Sequence, residues 1–271
     1  MDIGIFIFAT DTTLQPVELG RAAEERGFES IWLPEHSHIP TSLASNPGLP
    51  AYYWHTHDAV VALAAMAATT DRIRLGTGIT LVAQHDPIWL AKQIASLDVL
   101  SGGRVEFGVG FGWNREEMAH HGVDPRTRRR LVAEKVHLMR ALWTEDEASF
   151  DGKMLSLESS WSWPKPVQHP HPPIVLGAAV GPKNFDALFD FATGWIPFGR
   201  TFDEDHDAFL AECERRGEDP SRFEVSVWAP NRDPLTLEAL RERGVRRAVF
   251  RIPSGSPDEV LAEMDAVAEF L

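Results

Sequence analysis

Histidines and carboxylates crowd the first third of this chain. His36, His38, His55, His57 and His85 lie near one another in sequence, with Glu35, Asp58 and Asp86 among them. Two chemistries suit such a set. Imidazoles and carboxylates bind metals. An imidazole, which titrates near neutral pH, also passes protons to and from a substrate. The metal reading meets two objections. Barrel metallohydrolases carry their H-x-H on the first strand, whereas His36-Ser37-His38 follows the second apolar segment. Asp58, directly after His57, stands where a helix-capping carboxylate belongs. No metal is expected. A glycosidase-like pair needs two acids at strand ends. Glu35 is one, but Glu106 falls too early in its segment, and Glu116 and Glu117 read as acidic partners of a helix N-terminus.

A second stretch, GGRVEFGVGFGWNREE at residues 102–117, alternates Gly108, Gly110 and Gly112 at the end of an apolar run. The spacing is G-x-G-x-G, and Trp113 stands where a dinucleotide fingerprint needs its third glycine. No phosphate-cradling G-x-x-x-x-G-K-[ST] loop occurs. Two explanations remain open: the glycines relieve crowding inside a tight barrel, or bare backbone lets a flat ligand approach closely. The neighbouring GTGIT at residues 76–80 makes the same offer, which favours the ligand.

The elements that must position these residues repeat one pattern. Apolar runs at 3–8, 30–36, 73–81 and 104–111 alternate with helical spacing at 16–27, 57–71 and 86–103. The second half continues with runs at 173–181, 194–199, 223–230 and 247–253, each followed by a helical segment. Continuous apolar strands alternating with helices indicate a parallel sheet covered on both faces. Eight such units close a (β/α)8 barrel, and 271 residues is an ordinary length for one domain of that kind. Two insertions interrupt the repeat. Residues 37–56 follow the second strand, on the face where barrel active sites form, and Tyr52, Tyr53 and Trp54 there suit a wall for an apolar or aromatic substrate. Residues 145–172 precede the fifth strand, carry a hairpin signal at Asp151-Gly152, and begin at the opposite face.

Composition narrows the partners. A net charge of −14 argues against nucleic acid and anionic membranes. The one dense basic run, around Arg126, Arg128, Arg129 and Arg130, reads as a solvated helix face. A lone cysteine, Cys213, forms no internal disulfide and fits a reducing cytoplasm. The short apolar start reads as a buried strand rather than a signal peptide, and no stretch is long and apolar enough to span a bilayer.

Residues 72–117, 140–178 and 192–199 together resemble the bacterial luciferase-like family of flavin and deazaflavin oxidoreductases. The blocks LDVLSGGRV, GVGFGWNREE and KPVQ-x-PxPPI are most similar to its coenzyme F420-dependent branch. The resemblance implies a barrel holding a flavin or 5-deazaflavin across the C-terminal ends of its strands. It implies a cis peptide at Gly78-Ile79 behind the ring, and a lining from Gly110, Phe111, Gly112 and Trp113. GAAVGPKN at 177–184 matches the loop that binds the cofactor's phosphate, with Ala178, Ala179 and Val180 before Gly181 where the family is richer in glycine. Glu35 and His36 match an acidic-His pair, with Glu35 at the cofactor and His36 the catalytic candidate. A glutamate that acts as general acid in the family's sugar-phosphate dehydrogenases would fall at Trp113, which argues against a sugar phosphate here. The expected function is hydride transfer between F420 and a small apolar or aromatic molecule. The alternatives are an FMN-dependent two-component monooxygenase and a non-catalytic flavin-binding protein. A homodimer is implied by the same resemblance.

Overall fold

The computed structural model describes residues 1–42 and 48–271. The part of the first insertion at 43–47 lies outside the described residues. The first half contains β1 (Asp2–Phe6), α1 (Pro16–Glu25), β2 (Ser30–Leu33), α2 (Tyr52–His55), α3 (Ala59–Ala67), β3 (Arg74–Thr77), α4 (Pro87–Ser101) and β4 (Val105–Val109). Helices α5 (Arg115–His120) and α6 (Arg128–Thr144) lead to a hairpin of β5 (Ala148–Asp151) and β6 (Ser156–Ser160). The rest is β7 (Ile174–Leu176), α7 (Pro182–Phe191), β8 (Gly194–Trp195), α8 (Phe202–Arg216), β9 (Glu224–Trp228), α9 (Pro234–Glu242), β10 (Arg247–Arg251) and α10 (Pro257–Ala268).

Eight strands close a parallel barrel in the order β1-β10-β9-β8-β7-β4-β3-β2, the expected (β/α)8 architecture. Local chemistry places the helix starts. Proline occupies the first turn of α1, α4, α7, α9 and α10, where its missing N–H costs nothing. Asp58 caps α3 by accepting from the Val61 N–H, and Asp86 caps α4 by accepting from Ile88 and Trp89. No described helix is long and apolar enough to cross a membrane.

The second insertion stays away from the C-terminal mouth. Glu134 on α6 accepts from the Met154 and Leu155 N–H groups at the hairpin turn. Buried Asp98 on α4 accepts from the Val167 and Gln168 N–H groups at 2.8 and 3.0 Å. This segment therefore clasps the outer helices.

Two strands are shorter than the apolar runs suggest. The third ends at Thr77 and the fourth at Val109, so the glycine-rich tips lie beyond regular pairing. Between them the Gly78–Ile79 peptide is cis. The chain rejoins its neighbour where the Thr80 N–H donates to the Gly108 carbonyl at 2.8 Å.

Candidate active site

Neighbouring side chains and backbone crowd the glycines at that irregular tip. A Cβ on Gly110 would lie 2.4 Å from Ile79 Cδ1, and one on Gly177 would lie 2.6 Å from Ile79 Cγ2. A Cβ on Gly108 would lie 1.8 Å from the Thr77 carbonyl oxygen. Gly112 has φ +67°, a left-handed conformation that glycine adopts without penalty. The glycines thus make room for Ile79 and the turn after it. Gly108 and Gly110 relieve crowding inside the barrel, while Gly78, Gly112 and Gly177 also line a cleft at the C-terminal mouth.

Ile79 forms part of a cleft of about 360 Å³ at the C-terminal mouth. Its apolar wall includes Phe6, Phe8, Ile196, Phe198 and Trp228, and its polar rim includes Glu35, His36, Tyr53 and Arg251. Tyr53 and Trp113 close one side, their ring centroids 6.1 Å apart at nearly a right angle. Of the candidates named from sequence, Glu35, His36, Gly78, Ile79, Gly112 and Trp113 line this cleft. Gly110 and Phe111 do not. Gly110 is filled against Ile79, and Phe111 is buried beneath the Arg129 guanidinium, 4.3 Å from its ring centroid. Ala178, Ala179, Val180 and Gly181 follow the lining residue Gly177 and lead into α7 outside the cleft. Tyr53 forms wall as expected, Tyr52 packs behind it on Phe8, and Trp54 points outward, 51% exposed.

His36 is held by a residue that sequence reading assigned elsewhere. Its Nδ1 lies 2.8 Å from Glu117 Oε2, with the histidine side chain 6% exposed and the carboxylate fully buried. Glu117 Oε1 accepts from the Ser37 N–H at 3.0 Å. Asn114 and Glu117 have the spacing of a capping box, and Asn114 Oδ1 does accept the Glu117 N–H at 3.1 Å. The glutamate carboxylate does not complete the box; it turns to His36. Glu117 does stand in the first turn of α5, as its sequence position suggested, and the bond to His36 is a further role. No local pattern in the sequence brings residue 117 to residue 36.

Glu35 is a strut. One oxygen accepts the Leu81 N–H at 2.5 Å and the other lies 2.7 Å from His85 Nε2. Burial pushes His85 down, but the hydrogen bond and charge of Glu35 more than offset that, and its value stands above that of an ordinary imidazole. On the other side of the same loop, the Lys135 ammonium donates to the carbonyls of Ala83 and His85 at 2.7 and 2.5 Å. Burial pushes Lys135 down to about 8. Together these groups fix the turn after Ile79.

His36 also borders a polar chamber of about 310 Å³ lined by Ser37, Asp58, Gln84, His85 and His121. It therefore stands between an apolar cleft and a wet pocket. His38 Nε2 lies 2.8 Å from His120 Nδ1, which requires one of the two rings to accept. Among the described residues, no three His, Cys, Asp or Glu side chains converge in a way that could hold a metal ion.

The cleft has the volume and apolar lining of a small-molecule site. Its features suit a flat ring with a charged tail: Ile79 presents a raised surface at the floor, and Arg129, without a carboxylate partner among the described residues, bonds Asn184 in the first turn of α7. The arrangement can orient an imidazole Nε2 toward a bound molecule while Glu117 fixes the tautomer.

Comparison with known proteins agrees with this geometry. An uncharacterised protein of Mycobacterium tuberculosis is 42% identical over 289 residues, covering 99% of this chain and 98% of that protein. The F420-dependent hydroxymycolic acid dehydrogenase of the same organism is 29% identical over 206 residues, 74% of this chain and 54% of that protein. The solved structure of an F420-dependent secondary alcohol dehydrogenase, in complex with an F420-acetone adduct, shares the fold with a TM-score of 0.77 at 20% identity, covering 100% and 98% of the two chains. The profile of the luciferase-like monooxygenase family matches residues 1–231, and the chain belongs to that family of oxidoreductases.

Proposed function

We propose that this enzyme transfers a hydride between coenzyme F420 and a small organic substrate with an apolar or aromatic body. The observation that carries the reading is the His36–Glu117 pair on the wall of an apolar, aromatic-lined cleft at the C-terminal mouth. A deazaflavin bound there supplies a hydride at ring carbon and reacts poorly with oxygen.

The chain's own residues do the rest. Ile79, seated against Gly110 and Gly177, backs the ring from below. Arg129 and the N–H groups at the start of α7 suit the phosphorylated tail, in place of a glycine-richer loop. Phe8, Trp228 and Ile196, on the apolar wall, would keep water from a molecule bound in the cleft. His36 Nδ1 donates to Glu117, so a proton moves to or from substrate oxygen through Nε2. The adjoining polar chamber gives that imidazole a route to exchange protons with solvent.

Titration of the purified protein with oxidised F420 and with FMN, followed by absorbance and fluorescence, tests the reading. Saturable F420 binding with weak FMN binding supports it, and reduced F420 is then used to screen substrates. The reverse preference replaces it with an oxygen-using flavin monooxygenase. Tight cofactor binding with no substrate-dependent redox change, and no effect of a His36 substitution, marks a non-catalytic flavin binder.

A further inference from the structure

The cleft holds one permanent cation among its described lining residues, Arg251 at the end of β10. Its guanidinium makes one side-chain hydrogen bond among the described residues, to the Tyr52 hydroxyl at 2.5 Å, and lies 5.6 Å from that ring centroid. No described carboxylate reaches ion-pair distance of it. The two nearby acids are engaged elsewhere: Glu259 accepts from Ser256 at the start of α10, and Glu263 pairs with Arg232. At the rim of an apolar cleft, an arginine without a carboxylate can pair with an external anion.

The field of this charge reaches inward. Burial and neighbouring Tyr52 hold Tyr53 above the ordinary phenol value, and Arg251 pulls it the other way. Position separates Arg251 from the tail of a cofactor. The loop suited to that tail follows β7, and β10 lies three strands further round the barrel. His36 and Arg251 are linked through the Tyr53 and Tyr52 rings, so a molecule spanning them lies along an aromatic wall.

We propose that the substrate is an anionic amphiphile, an apolar body carrying a carboxylate that pairs with Arg251, with the Tyr52 hydroxyl positioning the guanidinium. This narrows the substrate class of the hydride-transfer reading; the fate of the apolar body rests on that reading, the anion site does not.

Calorimetric titration with 2-naphthoate and its neutral counterpart 2-naphthamide tests it, with F420 titrated into the same samples. The carboxylate is expected to bind about tenfold more tightly than the amide. R251Q, at a solvent-exposed position, erases that preference, R251K keeps part of it, and Y52F lowers it. I196W fills the cleft and weakens both probes alike. Equal affinities in the unsubstituted protein, failure of both probes to bind, or a preference that survives R251Q overturns the proposal. So does a loss of F420 affinity in R251Q, which would assign Arg251 to the cofactor. A preference that depends on Arg251 in a protein that binds no F420 supports the anion site and removes the cofactor reading instead.

Discussion

At the N-terminal mouth of the barrel, Arg247 is 1% exposed and its guanidinium is saturated. It makes two bonds of 2.6 Å to Glu29, and lies 3.0 Å from Glu224 and 3.3 Å from Glu106. Arg74 bonds the same Glu106 at 2.5 Å. At the C-terminal mouth, Arg251 has no described carboxylate and His36 has one nitrogen with no described partner. The same residue types close one end and leave the other open. Charge paired on every side contributes order; charge left with a vacant direction is available to a bound molecule. The pKa directions follow the pairing at two of the groups: the carboxylate of Glu29 is pulled down by Arg247 against the effect of its own burial, and Arg247 is raised above the ordinary arginine value, whereas burial outweighs the two arginines at Glu106 and raises it.

This division can be broken by substitution. Arg247→Ala leaves Glu29 and Glu106 facing each other without their shared cation and should cost about 3–5 kcal/mol in urea unfolding. At low temperature, where the variant is folded, its affinity for F420 should match that of the unsubstituted protein. A weakened cofactor affinity would show that the two mouths are coupled. His36→Asn keeps a donor for Glu117 in the place of Nδ1 but removes Nε2. Turnover with reduced F420 should fall by on the order of 10²–10³. Stability should change by less than about 1 kcal/mol, and an equal loss of stability and turnover would erase the contrast.

Gly110→Ala sharpens the same comparison at the floor of the cleft. A methyl group there presses on Ile79, so about 1–3 kcal/mol of stability should be lost in the protein without cofactor. Unchanged stability with a lower F420 affinity would return the glycines to direct ligand contact. The last test concerns pH. Folded Lys135 is pushed from 10.5 to about 8, so between those values the unfolded chain holds a proton that the folded chain has released. Stability from this group therefore rises with pH across that window, and the charged form is disfavoured in the fold below it. Lys135→Met should flatten that rise in a series of urea titrations at increasing pH.

The eight-fold repeat was legible because most strands are apolar runs and α1, α3, α4, α7, α9 and α10 each begin with a proline or a capping acid, as at Asp86-Pro87 and Ser256-Pro257. Candidate residues within one segment, such as Glu35-His36 and Gly78-Ile79, were also legible. Partnerships across the barrel were not. Glu117 meets His36 only because α5 packs against the second-strand loop, and in sequence it reads as an acidic partner of a helix N-terminus. Arg251 ends an ordinary strand, and nothing near it in sequence marks it as a cation left without an acid. The glycines were legible only in part for a related reason. Their number signals a tight approach, but which atom approaches depends on Ile79, a neighbour supplied by another strand.

Ile79 occupies a socket shared by three strand ends, so the floor of the cleft cannot be retuned one residue at a time. A smaller residue at position 79 opens space that alanine at 110 and 177 can refill, while each of those alanines alone is obstructed. Variation at these positions is thus expected to travel as a group across descendants of this sequence. A combinatorial library that randomises 79, 110 and 177 together should yield folded variants that three separate scans would each have discarded.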